Sequence, residues 1–263
     1  MLKAVTHDGK AERGAEACAR PPMLPIEARG LVVTSEGRRL LDDVSLTLAH
    51  APRSVIMGPN GAGKSLLLRV LHGLVLPSAG TVTYGGSAAD TAILARQAMV
   101  FQKPMLLRRS ARANIAFVLH GLGRAVARER VDEILASARL SHVAESPARL
   151  LSGGEQQRLA IARALALEPD VLFLDEPCAN LDPASTLAVE EMIDSARDGG
   201  TKIVLVTHDI GQARRIADEV VFISAGRVAE HTPAHAFFAS PRSAAAAAYL
   251  AGRIHLPGHP ASH

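Results

Sequence analysis

Four short apolar runs punctuate the chain, and each stops at polar chemistry. Ser54-Val55-Ile56-Met57 leads into Gly58, Ala98-Met99-Val100-Phe101 into Gln102, Val171-Leu172-Phe173-Leu174 into Asp175 and Glu176, and Ile203-Val204-Leu205-Val206-Thr207 into His208. Each run has strand length and is apolar on both faces, as a parallel strand covered by helices on both sides should be. From Ile26 onward, β-branched and leucine-rich runs alternate with longer helical stretches. That alternation predicts βαβ units and an α/β fold built on a mostly parallel sheet. Ligands of an open parallel sheet bind outside the carboxyl ends of its strands, so these four ends should meet in one crevice.

The two ends of the chain read differently. Residues 1 to about 24 are rich in Ala, Gly and charge, lack a sustained hydrophobic period, and run into Pro21, Pro22 and Pro25, the pattern of a loose extension. The last segment, residues 233–263, holds the alanine run 244–248, expected as a terminal helix, and then His255, His259 and His263. These histidines are spaced four apart, but Pro257, Gly258 and Pro260 would break a helix there, so a frayed tail is expected rather than a metal site. No internal repeat of fixed period is present.

Composition narrows the partners. The 263 residues are 48% hydrophobic and 21% charged, enough for one large domain or two small ones. Lys+Arg 29 against Asp+Glu 26 leaves a formal charge of only +3, and there is no Trp, so neither a polycationic surface nor a set of stacking platforms points to nucleic acid. Cys18 and Cys178 lie far apart and form no spaced set with histidines, which fits a reducing compartment. No apolar run has the length of a membrane span and the N-terminus lacks an apolar leader pattern. The expected place is the cytoplasm, with any membrane contact made through a partner.

The chemistry concentrates in three segments. Gly58-Pro59-Asn60-Gly61-Ala62-Gly63-Lys64-Ser65 matches the phosphate-binding loop G-x-x-x-x-G-K-[ST], with a strand before it and the apolar helix Leu66–Leu71 after it. Its glycines let successive backbone N–H groups and a helix N-terminus face phosphate oxygens, Lys64 reaches the β- and γ-phosphates, and the Ser65 hydroxyl ligates Mg²⁺. Asp175 and Glu176 directly follow a buried run, which suits one carboxylate holding Mg²⁺ through water and the other activating a hydrolytic water. Ser152-Gly153-Gly154-Glu155 reads as a capping box opening a helix, and a capped helix start with bare glycines is an anion site. Helix capping alone also explains Ser152 and Glu155. Cys178 lies near these groups without a base and reads as a small packing residue.

With these residues in place the sequence resembles the nucleotide-binding subunits of ABC transporters over about residues 26 to 240. The matching motifs are the Walker A loop (58–65), the Q-loop Gln102, the signature LSGGEQQ (151–157), Walker B with its glutamate (171–176), the D-loop Asn180-Leu181-Asp182 and the switch His208. The resemblance implies a RecA-like P-loop ATPase domain over 25–232, with an antiparallel β region near the N-terminus and an inserted helical subdomain at roughly 103–165. It implies a homodimer that sandwiches two ATP molecules, Ser152, Gly153 and Gly154 of one copy facing the γ-phosphate held by Lys64 of the other. It also implies Glu176 as general base, Gln102 as a magnesium and water contact linked to a membrane permease, His208 as γ-phosphate sensor and Asp182 as a link across the dimer. The family generally stacks an aromatic side chain on adenine from the loop after the first strand. Thr34-Ser35-Glu36-Gly37 offers none, and Val44 or another nearby apolar group is the expected substitute.

For the cargo, the stretches MGPNGAGKSLLLRVLHGL, QAMVFQKPMLLRRSARANI and LDEPCANLDP most resemble tungstate importer ATPases, with phosphate importers close behind. With so short a segment after the last predicted strand, neither the regulatory barrel of many sugar and molybdate importers nor a fused membrane domain is expected. A stand-alone importer subunit, served indirectly by a solute-binding protein, is expected on the inner face of the cell membrane. Molybdate and amino-acid importers remain alternatives. In another class, so does a soluble ABC ATPase of the iron–sulfur cluster assembly kind; a DNA-repair ATPase would need a longer insertion than 65–151 provides. Arg108, Arg109 and Arg112 read either as a contact to the permease or as a solvated basic face.

Overall fold

The computed structural model describes residues 22–253 except 50 and 122. Most of the N-terminal extension, with Cys18, and the histidine tail lie outside the described residues. Two sheets share the work. The antiparallel one has strand order β2-β1-β4-β5, from β1 (Ile26–Ser35), β2 (Arg38–Leu48), β4 (Ala79–Tyr84) and β5 (Ser87–Ala88). The larger one has order β10-β9-β3-β8-β7-β6, from β3 (Arg53–Met57), β6 (Gln97–Val100), β7 (Val171–Asp175), β8 (Lys202–Val206), β9 (Glu219–Ser224) and β10 (Arg227–Pro233). Only β10 runs antiparallel in it.

The four apolar runs are β3, β6, β7 and β8, and their neighbours are in register: Val100 pairs with Leu174, Leu174 with Leu205, and Leu205 with Val55. Their carboxyl ends therefore finish level, which is what gathers the polar residues that follow. Their side chains alternate between two cores, as the period of a strand requires. Val171, Phe173, Val204 and Val206 pack with β1, β2 and α1 (Lys64–His72), whereas Leu172, Leu174, Ile203 and Leu205 pack toward the helical side. Burial on both faces is why these runs carry no polar alternation.

The short helix α2 (Thr91–Leu94) leads into β6. The helical subdomain comprises α3 (Ala111–Val118), α4 (Arg124–Ser137) and α5 (Gly153–Leu165), packed on one another inside the expected 103–165 segment. Arg112 contributes there from within, bonding Asp132 at 2.6 Å and Glu145 at 2.5 Å, so it ties α3 to α4 and the turn beyond it. The chain then adds α6 (Pro183–Asp198) and α7 (Ile210–Ile216). Beyond β10, two helices replace the single terminal helix expected: α8 (Ala234–Ala239) and α9 (Ala244–Leu250). Phe237 of α8 is wholly buried against Phe222 of β9, so this segment belongs to the core.

At the opposite end of the sheet from the crevice lies a buried charge network. Lys202, its side chain only 3% exposed, donates to Ser54 Oγ at 2.6 Å and faces Glu219 at 3.5 Å, while His231 Nε2 sits 3.0 Å from the other Glu219 oxygen. Burial opposes the Glu219 charge, but the hydrogen bonds of His231 and Ser54 and the Lys202 ammonium outweigh it and hold the carboxyl below its ordinary value. Such a depressed carboxylate stabilises the fold above its unfolded-state pKa and loses that contribution as pH falls from 4.5 through its folded-state value. Glu219→Gln leaves Lys202 buried without its counter-charge. It should cost about 3 kcal/mol at pH 7 in urea melts and flatten the loss of stability below pH 4.5.

Candidate functional site

The loop leaving β3 is squeezed on both sides, which dictates its glycines. Gly58 has φ +150°, and a Cβ there would stand 2.1 Å from the Ile223 carbonyl oxygen of β9. Gly63, at φ +99°, would bring a Cβ within 2.8 Å of the Leu41 side chain of β2. Between them Ala62 N donates to Pro59 O at 3.2 Å and Gly226 N donates to Ala62 O at 3.1 Å, pinning the loop to the β9–β10 turn. Asn60 and Gly61 line the cavity beside it, Gly61 also at positive φ. Gly63 is followed directly by α1, whose first residues Lys64, Ser65 and Leu66 line that cavity and whose first N–H groups have no side-chain cap.

Lys64 is 94% removed from solvent, and its ammonium folds back on the loop, donating to Gly58 O at 2.9 Å and Pro59 O at 3.1 Å. Burial pulls its pKa below the ordinary lysine value, while the charges of Glu176 and Asp175 act the other way. Ser65 Oγ donates to Asp175 Oδ1 at 2.6 Å, joining the first turn of α1 to the end of β7. Arg69, one turn further along α1, lies 3.6 Å from the second Asp175 oxygen and stacks over the Phe101 ring.

Glu176 takes a left-handed backbone, φ +47°, just after its N–H bonds Val206 O at 2.9 Å. That break turns its side chain out of the sheet. Its Oε2 accepts from Gln102 Nε2 at 3.2 Å and lies 3.2 Å from His208 Nδ1. Three strand ends thus meet on one carboxylate oxygen. The His208 carbonyl accepts from the Tyr249 hydroxyl of α9 at 3.0 Å. Lys64, Ser65, Gln102, Glu176, Thr207 and His208 all line one open cavity of roughly 810 Å³.

The remaining predicted residues sit elsewhere. Ser152 caps α5 through a reciprocal box: its Oγ accepts from Glu155 N at 3.3 Å, and Glu155 Oε2 accepts from Ser152 N at 2.8 Å. Neither Ser152, Gly153 nor Gly154 lines the cavity. Asp182 caps α6, accepting from Ser185 N at 2.9 Å and Ser185 Oγ at 2.6 Å, which holds its carboxyl below the usual range. It too is absent from the cavity wall. Burial pushes the Cys178 thiol up to about 12, in keeping with a packing role. Val44 is fully buried opposite Leu31 in the antiparallel sheet, facing away from any ligand, so it does not replace the missing aromatic. Leu40, which lines the cavity at 37% exposure, is the accessible apolar group at that edge.

Comparison with known proteins agrees with this geometry. The family described as ABC transporter matches residues 41–179. The chain is 34% identical to the phosphate import ATP-binding protein PstB 2 of Natronomonas pharaonis, over 96% of this chain and 97% of that one. It is 40% identical to the tungstate uptake system ATP-binding protein TupC of Peptoclostridium acidaminophilum, over 74% of this chain and 92% of that one. Among solved structures, cbiO1 of Clostridium perfringens, part of the ABC transporter complex cbiONQ, superposes with a TM-score of 0.74 at 28% identity, covering 82% of this chain and 90% of its own. Among the described residues no helix is long and apolar enough to cross a membrane.

Gly58→Ala tests the loop's geometry. The added methyl has only the Ile223 backbone to displace, so the variant should lose ATP binding in calorimetry and more than about 2 kcal/mol of stability in urea melts. Level strand ends, a glycine loop wrapped around a buried lysine, and relatives matched over nearly the whole chain place this protein in the ABC transporter family, among its ATP-binding, ATP-hydrolysing subunits.

Proposed function

We propose that the chain works as a pair, two copies closing on two ATP molecules, and that hydrolysis powers import of a small oxyanion of the tungstate kind through a membrane permease. The observation that carries the reading is the convergence of Gln102, Glu176 and His208 on one oxygen beside Lys64 and Ser65. Lys64 exchanges its two loop carbonyls for the β- and γ-phosphate oxygens, a stronger charge-assisted pairing. Glu176 accepts the proton of a water that attacks the γ-phosphorus as the bond to the ADP oxygen breaks. Gln102 and His208, which share that carboxylate oxygen, orient it, and His208 contacts the γ-phosphate.

Ser65 Oγ and Asp175 Oδ1, 2.6 Å apart, form a hard-oxygen pair that fits Mg²⁺, which keeps water and takes its other ligands from phosphates; Gln102 stands on the same rim. When bound, that ion neutralises charge on the phosphate oxygens.

Pairing is supported by Gly153. It is exposed, and a Cβ there would meet nothing closer than a Leu181 methyl at 4.0 Å, so packing within one copy does not require glycine. A phosphate approaching from a second copy does. Asp182, capping α6, would transmit that approach across the pair.

A permease is supported by exposed apolar side chains just beyond the Q-loop. Met105 and Leu167 are each more than half exposed and flank a groove of roughly 260 Å³ beside Phe101. A short helix of a membrane subunit would cover them on the cytoplasmic face, with a solute-binding protein upstream. The relatives' names support an anion as cargo and weigh against the soluble cluster-assembly alternative. Tungstate rather than phosphate rests on the higher identity to the tungstate protein.

Glu176→Gln should keep ATP affinity within about threefold while phosphate release falls by about 100-fold or more. Ordinary turnover would remove Glu176 from its role. Deleting the gene should abolish high-affinity tungstate accumulation, measured by elemental mass spectrometry at nanomolar supply, with phosphate uptake intact. Loss of phosphate uptake instead would assign the cargo to phosphate.

A further inference from the structure

Among the described residues, buried polar atoms without a hydrogen-bond partner occur on the side chains of His72, Gln97, Gln157 and Gln212. Of these, Gln212 alone lines the cavity of Lys64 and Glu176. It is 2% exposed, and its orphan atom is the donor Nε2. An unpaired donor costs the fold free energy, so one retained at a functional cavity calls for a partner that the free chain lacks. Helix capping would be the ordinary role for this side chain. Asp209 and Gln212 stand three apart at the start of α7, the spacing of a capping box, and Asp209 Oδ1 accepts from Gln212 N at 3.0 Å. The reciprocal bond would run from Asp209 N to the Gln212 side chain, as it runs from Ser152 N to Glu155 at α5. Instead Asp209 N donates to Thr207 Oγ1 at 3.0 Å, which leaves the amide out of the cap. The amide lies close enough to the Cys178 thiol to oppose the upward push of burial on it, but sulfur is a weak acceptor and the pair reaches no hydrogen-bond geometry.

The acceptors on the same cavity wall are backbone groups. Ala179 N donates to Glu176 O at 3.1 Å and Leu181 N to Cys178 O at 3.2 Å, so residues 176–181 form a turn tied at two carbonyls. The Ala179 and Asn180 carbonyls accept no hydrogen bond among the described residues, and both residues line the cavity with Gln212. Asn180 holds a left-handed backbone, φ +62°, as Glu176 does at the start of the turn. The helix that carries the donor is fixed: Arg215 of α7 grips Glu190 of α6 through bonds of 2.7 and 3.1 Å, and Ala213 is fully buried. A rigidly placed donor thus shares a wall with an underbonded turn that begins at Glu176.

We propose that Gln212 is a positioning residue for ATP hydrolysis: with nucleotide in the cavity, its Nε2 donates to the Ala179 or Asn180 carbonyl and fixes the turn that sets the Glu176 carboxylate. This rests on Glu176 acting as the base, as in the function proposed above. It gives the orphan donor a partner in the working state, at the expense of the nucleotide-free one.

Gln212→Met removes the donor and keeps the length of the side chain; Gln212→Leu is run beside it so that one side chain's misfit does not decide the result. On the full chain, MgATP turnover gives kcat and KM, calorimetry gives ATP affinity, and urea melts give the midpoint without nucleotide. The proposal expects kcat to fall about tenfold with KM and affinity within about twofold, and the midpoint to hold or rise, because neither variant buries an unpaired donor. In a chain already carrying Glu176→Gln, the same changes should leave the residual single-turnover rate unaltered, since both residues act through one carboxylate. Unchanged turnover, a midpoint lowered in both variants along with the rate, or a further tenfold loss on top of Glu176→Gln, about as large as in the parent chain, would overturn the proposal. So would a weakened ATP affinity, which would make Gln212 a direct nucleotide contact. A Glu176→Gln chain that hydrolyses ATP normally would instead overturn the reading of Glu176 itself.

Discussion

Everything in this molecule hangs on a backbone loop with no room to spare. Between Met57 and Lys64 the chain must turn from a buried parallel strand into a helix while passing against Ile223 on one side and Leu41 on the other. Bare glycines at 58 and 63 make that path possible, and its outcome is a lysine ammonium held over backbone carbonyls, at the level where three neighbouring strands also end. The register of the sheet and the squeeze on the loop are thus one constraint seen from two directions. A slip of one residue in β7 would send Asp175 and Glu176 to the wrong faces and dissolve the site.

Much of this was legible in the amino-acid order because the relevant signals are local. The runs 54–57, 98–101, 171–174 and 203–207 announce doubly covered strands by their lack of polar alternation, and the strands lengthen or shift from those bounds by a single residue. The box at Ser152 and Glu155 forms as its three-residue spacing requires. What escaped depends on contacts between distant segments. Nothing local marks Arg69 as a neighbour of Asp175, or Tyr249 as a partner of the His208 carbonyl 41 residues earlier. Val44 failed as a ligand contact because strand alternation alone does not say which face is the core; pairing with Leu31 decides it. The helix α8 was missed because its single strong anchor, Phe237, finds its partner Phe222 across a sheet.

The arrangement is also incomplete in an informative way. One copy supplies the glycine loop, the carboxylates and His208, yet the capped start of α5, the second anion site of the proposed function, stands apart from that cavity with an exposed glycine at its tip. In the proposed pairing, a second chain brings the two half-sites together, each cradle facing the other's helix tip. The proposed permease contact has a route to the carboxylate in this segment: Gln102 bonds Glu176 at one end, and the chain leads into the exposed Met105 at the other.

Sedimentation of the Glu176→Gln chain with and without MgATP tests this claim most directly, run beside the same chain carrying Gly153→Asp, a change that one copy has room to accept. The account predicts that nucleotide doubles the mass of the first protein, while the second binds ATP and stays single. A nucleotide-bound monomer in the first case, or pairing that survives the added aspartate, would contradict it.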